Sequence, residues 1–561
     1  MKSKKRFDIW LIISLGILAA YALFLLYPLY CILKQSIISN GQFTAEYFVR
    51  FFSKSTYMQT LINSFKVTIS ATAITLILGV PLAYFYNMYE IKGKTIVQII
   101  IILCCMSAPF IGAYSWILLM GRSGLITQTI EGIVHNLGAF MNMAQLAKFK
   151  MPSIYGFNGI LLVLSFQLFP LVFLYVSGAL KNIDNSLLEA SENMGCSGAR
   201  RFFKVIIPLC MPTILAATLL VFMRAFADFG TPLLIGEGYK TFPVEIYNQY
   251  FGEVGTDKNF AAAVSVIAIV ITAIIFLVQK FAADHFTFKM NALHPIERKK
   301  AKGIFNFFIH AYTYILVFIS FMPQIYVMYT SFLKTSGKIF VKGYSLNSYV
   351  KISKDLWRAI SNTFAIGGLA LIIIIVLAIL IAYLVVRRKS WVNELIDTLS
   401  MLPYIIPGSV VGIALVIAFN RKPLVLTGTA IIMIVALCIR RLPYTIRSSV
   451  AILQQIPLTV EEAAISLGSS KLGAFFKVTV PMMANGILSG AILSWVTIIT
   501  ELSTAIILYN VKTMTLTLAI YTQVSRGSYG PAAAIATILN ILTVISLLIF
   551  MKVSKTKEIT F

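Results

Sequence analysis

Two stretches decide how the rest of the sequence is interpreted: Glu189-Ala190-Ser191-Glu192-Asn193-Met194-Gly195 and Glu462-Ala463-Ala464-Ile465-Ser466-Leu467-Gly468. The second lies 273 residues after the first, and 11 of 27 positions are identical when residues 189–215 are aligned with 462–488 without a gap. Identities at Glu, Gly, Lys and Pro do not follow from an apolar composition. The chain therefore contains an internal repeat.

The chain is too apolar for an ordinary soluble protein. Of its 561 residues, 58% are hydrophobic and 12% are charged, whereas globular chains are about half apolar and about a quarter charged. This composition excludes a disordered chain and a disulfide-rich secreted chain. Because a membrane-spanning helix needs about 20 apolar residues, we predict an all-α polytopic membrane protein. Its apolar runs predict about twelve transmembrane helices, at residues 9–33, 64–86, 96–120, 160–180, 206–229, 259–283, 304–331, 362–386, 393–419, 426–446, 482–508 and 531–551.

Basic residues set the predicted orientation. The segment Met1–Arg6 is basic and precedes an apolar run that is too long for a signal peptide, so we predict an uncleaved first span that starts in the cytoplasm. Twelve spans then leave both termini cytoplasmic. The formal charge of +26 is interpreted as loop charge beside a lipid bilayer, with no nucleic acid as partner. Three clusters are expected on the cytoplasmic side: Arg298-Lys299-Lys300, Arg387-Arg388-Lys389 and Arg440-Arg441.

The repeat divides the chain into two predicted domains of six spans each, residues 1–300 and 301–561. An even number of spans makes both repeats cross the membrane in the same sense, related by a pseudo-twofold axis along the membrane normal. Earlier in each repeat, Asn63-Ser64 aligns with Asn362-Thr363 at a spacing of 299 residues. The spacing is larger there than in the motif, so the first repeat has extra residues, which we expect in the segment 121–158.

Each repeat places its motif in the cytoplasmic connection between its fourth and fifth spans. Helix-forming residues lead to Gly195 or Gly468, and a stretch with one shared basic position then leads to Pro208 or Pro481. Because proline is tolerated at a helix start, we predict a helix, a sharp turn and a next span that begins at the proline. This geometry suits docking into a groove on another protein. The alternative is a membrane-surface loop packed through Ala and Gly, but two copies at one topological position favour docking.

The pattern resembles the coupling-loop signature of type I ABC importer permeases: Glu-Ala-Ala, three residues, Gly, nine residues, a β-branched residue, one residue, a hydrophobic residue and Pro. The resemblance covers both halves, and only Ser191 departs, by replacing an Ala. It implies that loops 189–208 and 462–481 dock two copies of a cytoplasmic ABC ATPase in the bacterial cytoplasmic (inner) membrane, and that an extracytoplasmic solute-binding protein delivers the substrate. It assigns ATPase coupling to Glu189, Ala190, Gly195, Pro208, Glu462, Ala463, Ala464, Gly468 and Pro481.

The chain itself is not expected to hydrolyse ATP. Gly93-Lys94-Thr95 looks like the end of a phosphate-binding loop, but Met88 stands where its first glycine is required. We therefore expect ATP and Mg²⁺ on separate ATPase subunits and no cofactor on this chain, which is predicted not to be an enzyme. The six cysteines and four histidines have no metal-ligand spacing, so no metal site is expected.

Three ionisable residues are candidates for the translocation pathway, because charged groups in spans are costly and often functional. Arg224 and Asp228 are four residues apart and can pair on one helix face. Glu501 aligns with Asp228 in the other repeat, so we expect the two acids near the pseudo-twofold axis. The alternative is that both acids lie at the outer ends of their helices, solvated and structural.

The substrate is less well defined. Ala227-Asp228-Phe229-Gly230-Thr231-Pro232, Gly112-Ala113-Tyr114-Ser115-Trp116 and Gly121-Arg122-Ser123-Gly124 resemble fused permeases of the ferric-iron importer group. Close relatives of that group handle 2-aminoethylphosphonate, thiamine and polyamines, and these alternatives stay open. An ion-coupled secondary transporter with two sets of six spans also has parallel repeats. It is the remoter alternative.

Overall fold

The computed structural model describes residues 9–39, 41–106, 109–141, 143, 145, 148–252, 257–285, 296–337 and 339–554. Helices dominate these residues. Two short antiparallel hairpins accompany them: β1 (Ile38–Ser39) pairs with β2 (Gln42–Phe43), and β3 (Leu333–Ser336) pairs with β4 (Ile339–Tyr344). The predicted all-α class is therefore confirmed.

The helices of the first repeat are α1 (Ile9–Tyr21), α2 (Tyr27–Ile37), α3 (Glu46–Ser53), α4 (Ser55–Met88), α5 (Lys94–Met106), α6 (Pro109–Met120), α7 (Leu125–Phe140), α8 (Phe157–Lys181), α9 (Asn185–Asn193), α10 (Gly198–Arg201), α11 (Ile207–Phe226), α12 (Gly230–Ile235), α13 (Phe242–Phe251) and α14 (Lys258–His285). Helix α7 lies in the segment where extra residues were expected. The corresponding residues 420–429 of the second repeat contain no helix.

The helices of the second repeat are α15 (Gly303–Ser331), α16 (Asn347–Lys351), α17 (Ser353–Arg387), α18 (Trp391–Ile405), α19 (Gly408–Phe419), α20 (Ala430–Gln455), α21 (Leu458–Ser466), α22 (Lys471–Ala474), α23 (Val480–Ile499), α24 (Ala505–Leu508), α25 (Leu516–Ser525) and α26 (Tyr529–Ser554). Within the described residues, nine helical segments of the chain are long and apolar enough to cross a membrane, and two bent helix pairs raise the number to eleven. The predicted span 426–446 corresponds to α20, whose polarity is increased by Arg440 and Arg441.

Two predicted spans, 96–120 and 393–419, are not straight helices. Each is a pair of helices with a sharp bend, of 102° in the first repeat and 111° in the second. In the second repeat the bend falls at Ile406-Pro407, where Ile406 is extended with ψ 129°. A residue before proline is biased away from the helical region, so α18 ends there. The prediction of one continuous span was wrong at this position.

The described residues form two compact units that do not follow the order of the sequence. One unit comprises the described parts of Met1–Phe51, Ile246–Ile269 and Asn347–Lys557, and α17, α20 and α23 pack together in its core. The other comprises Phe52–Glu245 and Val270–Leu346, and its core is formed by α4, α8 and α11. These two sets of three helices occupy equivalent places in the two repeats.

Each unit is built mainly from one repeat but also contains the beginning of the other repeat. In the unit with most of the second repeat, α1 and α2 pack on the bent pair α18 and α19. The Trp10 ring lies 4.4 Å from that of Tyr383 and 5.1 Å from that of Phe475. In the other unit, α15 packs on the bent pair α5 and α6, and Tyr312 donates a 2.8 Å hydrogen bond to the carbonyl of Leu78. The predicted boundary at residue 300 separates the two copies of the repeat. The compact units do not follow it, because each contains residues from both sides of it.

Pro208 and Pro481 are the second residues of α11 and α23, at the helix starts that the sequence predicts. A π-helical turn, Phe202–Ile206 or Phe475–Thr479, precedes each of them. Proline has no N–H and clashes with the carbonyl four residues earlier. The wider turn accommodates both effects, since Ile207 and Val480 donate to the carbonyls five residues before them, Phe202 and Phe475. The helical backbone therefore continues from the repeated loop into the span.

Asn393 fixes the junction between α1, α17 and α18. It accepts a 2.8 Å hydrogen bond from Ser14, donates to the carbonyls of Leu384 and Arg388, and is 3% exposed. We expect Asn393→Leu to lower stability by about 1–3 kcal/mol, because it leaves these buried partners unsatisfied. Thermal unfolding of the full chain in detergent measures this, with Ser14→Ala as the control that removes one bond. Equal midpoints for the Leu variant and the wild type contradict the assignment.

Candidate functional site

The two repeated loops have the same backbone turn. After α9 ends, Gly195 adopts a φ of +76°, and after α21 ends, Gly468 adopts a φ of +94°. In each case the next amide, Cys196 or Ser469, donates to the carbonyl five residues earlier, at 2.9 and 3.1 Å. This is a Schellman turn, whose left-handed residue is normally glycine. The acceptor in the first loop is Ser191, so its departure from Ala leaves the turn unchanged.

The loops also expose the same side chains. Glu189 and Glu462 are exposed, as are Ala190 and Ala463. Met194 is 80% exposed and Leu467 is 90% exposed at the position before each glycine. Two further equivalent pairs are exposed along the following helix: Phe203 with Phe476, and Lys204 with Lys477. Both loops thus present an acid, an apolar tip, an aromatic ring and a cation in the same order.

A buried carboxylate holds the second loop. Glu461 is 8% exposed and accepts a 2.5 Å hydrogen bond from the hydroxyl of Tyr383. Its other oxygen lies 3.4 Å from the Thr479 hydroxyl and 4.0 Å from Nε of Arg387. Glu461 does not stand out in the sequence, because the neighbouring Glu462 is the acid that fits the motif. Its repeat equivalent is Leu188, which is also buried, so a comparison of the two copies indicates an inward-facing position.

An ion cluster holds the first loop. Glu192 on α9 accepts from Nη1 of Arg201 at 3.0 Å and from Nζ of Lys299 at 2.5 Å through the same oxygen. The hydrogen bond and the charge of Lys299, followed by Arg201, lower the pKa of the Glu192 carboxyl. The equivalents of Glu192 and Arg201 in the second repeat are Ile465 and Ala474. The two loops are therefore held by different chemistry.

Asp228 lies just beyond the end of α11. Its carboxylate accepts a 3.1 Å hydrogen bond from the amide of Thr231 at the start of α12. Glu501 occupies the same place after α23 and accepts a 3.0 Å bond from the amide of Thr504, just before α24. Both acids thus accept a hydrogen bond from the backbone amide three residues later, where the next short helix begins. The predicted pairing of Asp228 with Arg224, and a role of these three residues in the pathway, stay predictions.

Glu501 is also the centre of a buried ion cluster. It is 4% exposed and bonds Nη1 of Arg440 and Nη2 of Arg441, one to each carboxylate oxygen. Arg440 further donates to the hydroxyls of Ser503 and Thr504, both at 3.0 Å. Glu501 is therefore not a solvated residue at a helix end. The expectation that Arg440-Arg441 is a cytoplasmic loop cluster was wrong, because both arginines project from the middle of α20.

This cluster contacts the bend between α18 and α19. Thr504 donates to the carbonyl of Gly408 at 3.1 Å. A Cβ at Gly408 would lie 2.3 Å from the Ser503 hydroxyl and 2.4 Å from Nη1 of Arg440, so the close approach requires glycine. The cluster thus ties the bent helix to α20 and to the end of α23. In the described residues, no group of three or more His, Cys, Asp or Glu side chains is arranged to hold a metal ion.

We expect Glu501→Gln to lower stability by about 3–5 kcal/mol, since it leaves two buried arginines without their counter-charge. The measurement is the thermal unfolding of the full chain in detergent. Asp228→Asn is the matched control, because it neutralises the equivalent acid while keeping an oxygen that can accept from Thr231. If both variants shift the midpoint equally, the ion cluster does not stabilise the fold as described.

Comparison with known proteins identifies the same two repeats. Residues 75–291 and 374–557 match the family described as binding-protein-dependent transport system inner membrane component. The ferric transport system permease protein FbpB of Actinobacillus pleuropneumoniae is 26% identical over 554 residues, which cover 96% of this chain and 77% of that protein. A putative ferric transport system permease protein, FbpB 1, of Haemophilus influenzae is 26% identical over 500 residues, which cover 87% and 76%.

A shorter relative matches over about half of the chain. The putative 2-aminoethylphosphonate transport system permease protein PhnU of Salmonella paratyphi A is 26% identical over 281 residues, which cover 49% of this chain and 91% of that protein. The family match occurs once in each repeat, as the sequence duplication predicted. The chain belongs to the family of binding-protein-dependent transport system inner membrane components, the permeases of ABC importers, and carries its domain twice.

Proposed function

We propose that this chain is the fused, two-repeat permease subunit of an ABC importer that moves ferric iron inward across the bacterial cytoplasmic membrane, driven by separate ATPase subunits. The observation that carries the proposal is the matched pair of loops at 189–208 and 462–481. They share a glycine turn and the same exposed side chains in the same order. Two loops with the same surface fit two identical grooves, and a pair of identical ATPase subunits provides such grooves.

The exposed tips of the loops are suited to such a groove. Met194 and Leu467 are apolar, project into solvent and stand beside a glycine of positive φ. An apolar side chain that inserts into a pocket, surrounded by polar contacts, is a common source of binding energy at interfaces. Glu189 and Glu462 supply those polar contacts on the loop side.

The helices after the loops can transmit a displacement. Gly198–Phe226 and Lys471–Ile499 each run as one helical segment from the loop through the π turn into the span. In each unit that span packs in the three-helix core. Closure of the ATPase subunits therefore moves both cores together. Opening and closing of the pathway on the two sides of the membrane follows from this movement, as alternating access requires.

The assignment of iron rests on the relatives. The ferric permeases match both repeats, whereas the phosphonate permease matches a single-repeat length. 2-Aminoethylphosphonate is the alternative favoured by that second match, and thiamine or a polyamine follows from the resemblance of motifs. A solute-binding protein on the outer side presents the substrate, and ATP and Mg²⁺ bind to the ATPase partners. The proposed cytoplasmic termini lie outside the described residues.

We expect Gly195→Val and Gly468→Val each to uncouple transport from ATP hydrolysis by at least about tenfold, because a β-branched residue resists positive φ. A Cβ at either glycine meets no atom within 4 Å, so the effect arises from the backbone conformation. The measurement is substrate uptake and ATPase activity in proteoliposomes of the full complex.

Asn is the matched control at both glycines, since it tolerates the left-handed conformation best after glycine. Gly195→Asn and Gly468→Asn should retain most of the uptake. Normal uptake and normal ATPase association in both Val variants would rule out the coupling assignment.

The substrate is tested on the solute-binding protein encoded beside this chain. We expect metal analysis to find ferric iron bound to it, and a thermal shift with ferric iron but with none of 2-aminoethylphosphonate, thiamine or spermidine. The same compounds are then compared in uptake by proteoliposomes of the full complex. A thermal shift and uptake specific to 2-aminoethylphosphonate would replace iron as the substrate and leave the importer mechanism intact.

A further inference from the structure

The connection between the two repeats is bound to the first repeat at the cytoplasmic end of α4. The amide of Lys299 donates to the carbonyl of Met88 at 2.9 Å, and the carbonyl of Lys299 accepts from the amide of Glu90 at 3.3 Å. These two bonds form a short parallel bridge between Tyr89 and Lys299. The backbone at Lys299 is thereby fixed in place.

From this fixed point the Lys299 side chain reaches the first coupling loop. Its ammonium bonds the same Glu192 oxygen that Arg201 bonds from the other side of the turn. Glu192 lies on the helix before Gly195, and Arg201 lies on the helix after it. One carboxylate therefore joins both arms of the turn to the connection between the repeats.

Both loops also contact an equivalent tyrosine. The loop residue that meets the tyrosine is a cation in the first repeat and an acid in the second. Tyr84 lies beside the guanidinium of Arg201, and its ring is 4.7 Å from that of Phe202. Tyr383 donates to Glu461, and its ring is also 4.7 Å from that of Phe475. In the second repeat, the acid that anchors the loop is nearly fully buried. In the first, the side chain of Glu192 is 45% exposed and that of Lys299 is 56% exposed.

We propose that Lys299 is a positioning residue that fixes the orientation of the first coupling loop, so that the connection between the repeats is part of the coupling apparatus. The coupling role rests on the proposed function. Because the contact is exposed and ionic, salt screens it, whereas the buried anchor of the second loop is screened much less. The two loops present the same surface to the ATPase subunits, but in the described part of the chain only the first loop forms an ion pair with the connection.

The contact itself is tested on the full chain alone, in nanodiscs, by hydrogen exchange of the backbone amides. Lys299→Met keeps the backbone bridge and removes the ammonium. We expect exchange over residues 185–201 to rise about two- to fivefold, as for the loss of one exposed ion pair. Residues 458–474 serve as the internal reference and should not change. Raising the salt from 0.05 to 0.5 M should have the same effect on the wild type and little further effect on the variant.

Three variants define the specificity of the effect. Lys300→Met is the matched control, since Lys300 is the neighbouring lysine and lies 3.9 Å from Glu90 instead of Glu192. It should leave exchange over 185–201 unchanged. Lys299→Arg should restore the wild-type rate. Adding Lys299→Met to Glu192→Gln should raise exchange no further, because both changes remove the same pair. Equal effects of Lys299→Met and Lys300→Met, or no effect of either, overturn the proposal.

The coupling role is tested in proteoliposomes of the full complex. We expect Lys299→Met to raise the ATP hydrolysed per substrate molecule about two- to fivefold, with rescue by Lys299→Arg. If Gly195→Val uncouples transport but Lys299→Met does not, the positioning role is wrong and the proposed function stands. If neither Gly195→Val nor Gly468→Val uncouples transport, the proposed function fails and the positioning role fails with it. The exchange result then describes only a structural contact.

Discussion

Polar groups inside a bilayer must find their partners within the protein, because lipid supplies no hydrogen bonds. The ends of α11 and α23 meet this constraint in the same way, with an acid that accepts a hydrogen bond from the backbone amide three residues later. In the second repeat the acid also neutralises Arg440 and Arg441, and its neighbours Ser503 and Thr504 complete the cluster. Gly408 lacks a side chain because that cluster occupies the space. This one cluster therefore connects the bend between α18 and α19, the core helix α20 and the end of α23.

The two repeated loops expose the same kinds of side chain, but different residues hold each loop in place. The residues that the loops expose are paired position by position, from the acid to the apolar tip. The residues that hold the loops are not: an exposed ion cluster around Glu192 serves the first, and a buried carboxylate, Glu461, serves the second. Under the proposed function, both faces dock on equal sites of two ATPase subunits, so they must stay alike. Their internal supports can diverge, since each only has to satisfy local packing and charge.

Sequence reasoning was strongest where a local rule acts. Apolar length predicted most spans, and the repeated glycines predicted the turns, because a left-handed residue after a helix is a local requirement. It failed where partners are distant in the chain. Arg440-Arg441 looked like loop charge because Glu501, which neutralises both, lies about 60 residues away. Glu461 was passed over beside Glu462, because burial against Tyr383 depends on tertiary packing. The bend at Pro407 was hidden within a mostly apolar segment that is long enough for one span.

The exchange of first helices has a consequence for the order of synthesis. Ser14 on α1 and its partner Asn393 are 379 residues apart. At a translation rate of about 5–20 residues per second, α1 waits in the membrane for about 20–75 s before its binding surface exists. Helix α15, in contrast, emerges after the bent pair that it covers. The unit built around the second repeat is therefore the last to complete its packing. It does so only when α1, the first helix to be synthesised, packs onto α18, which is synthesised late.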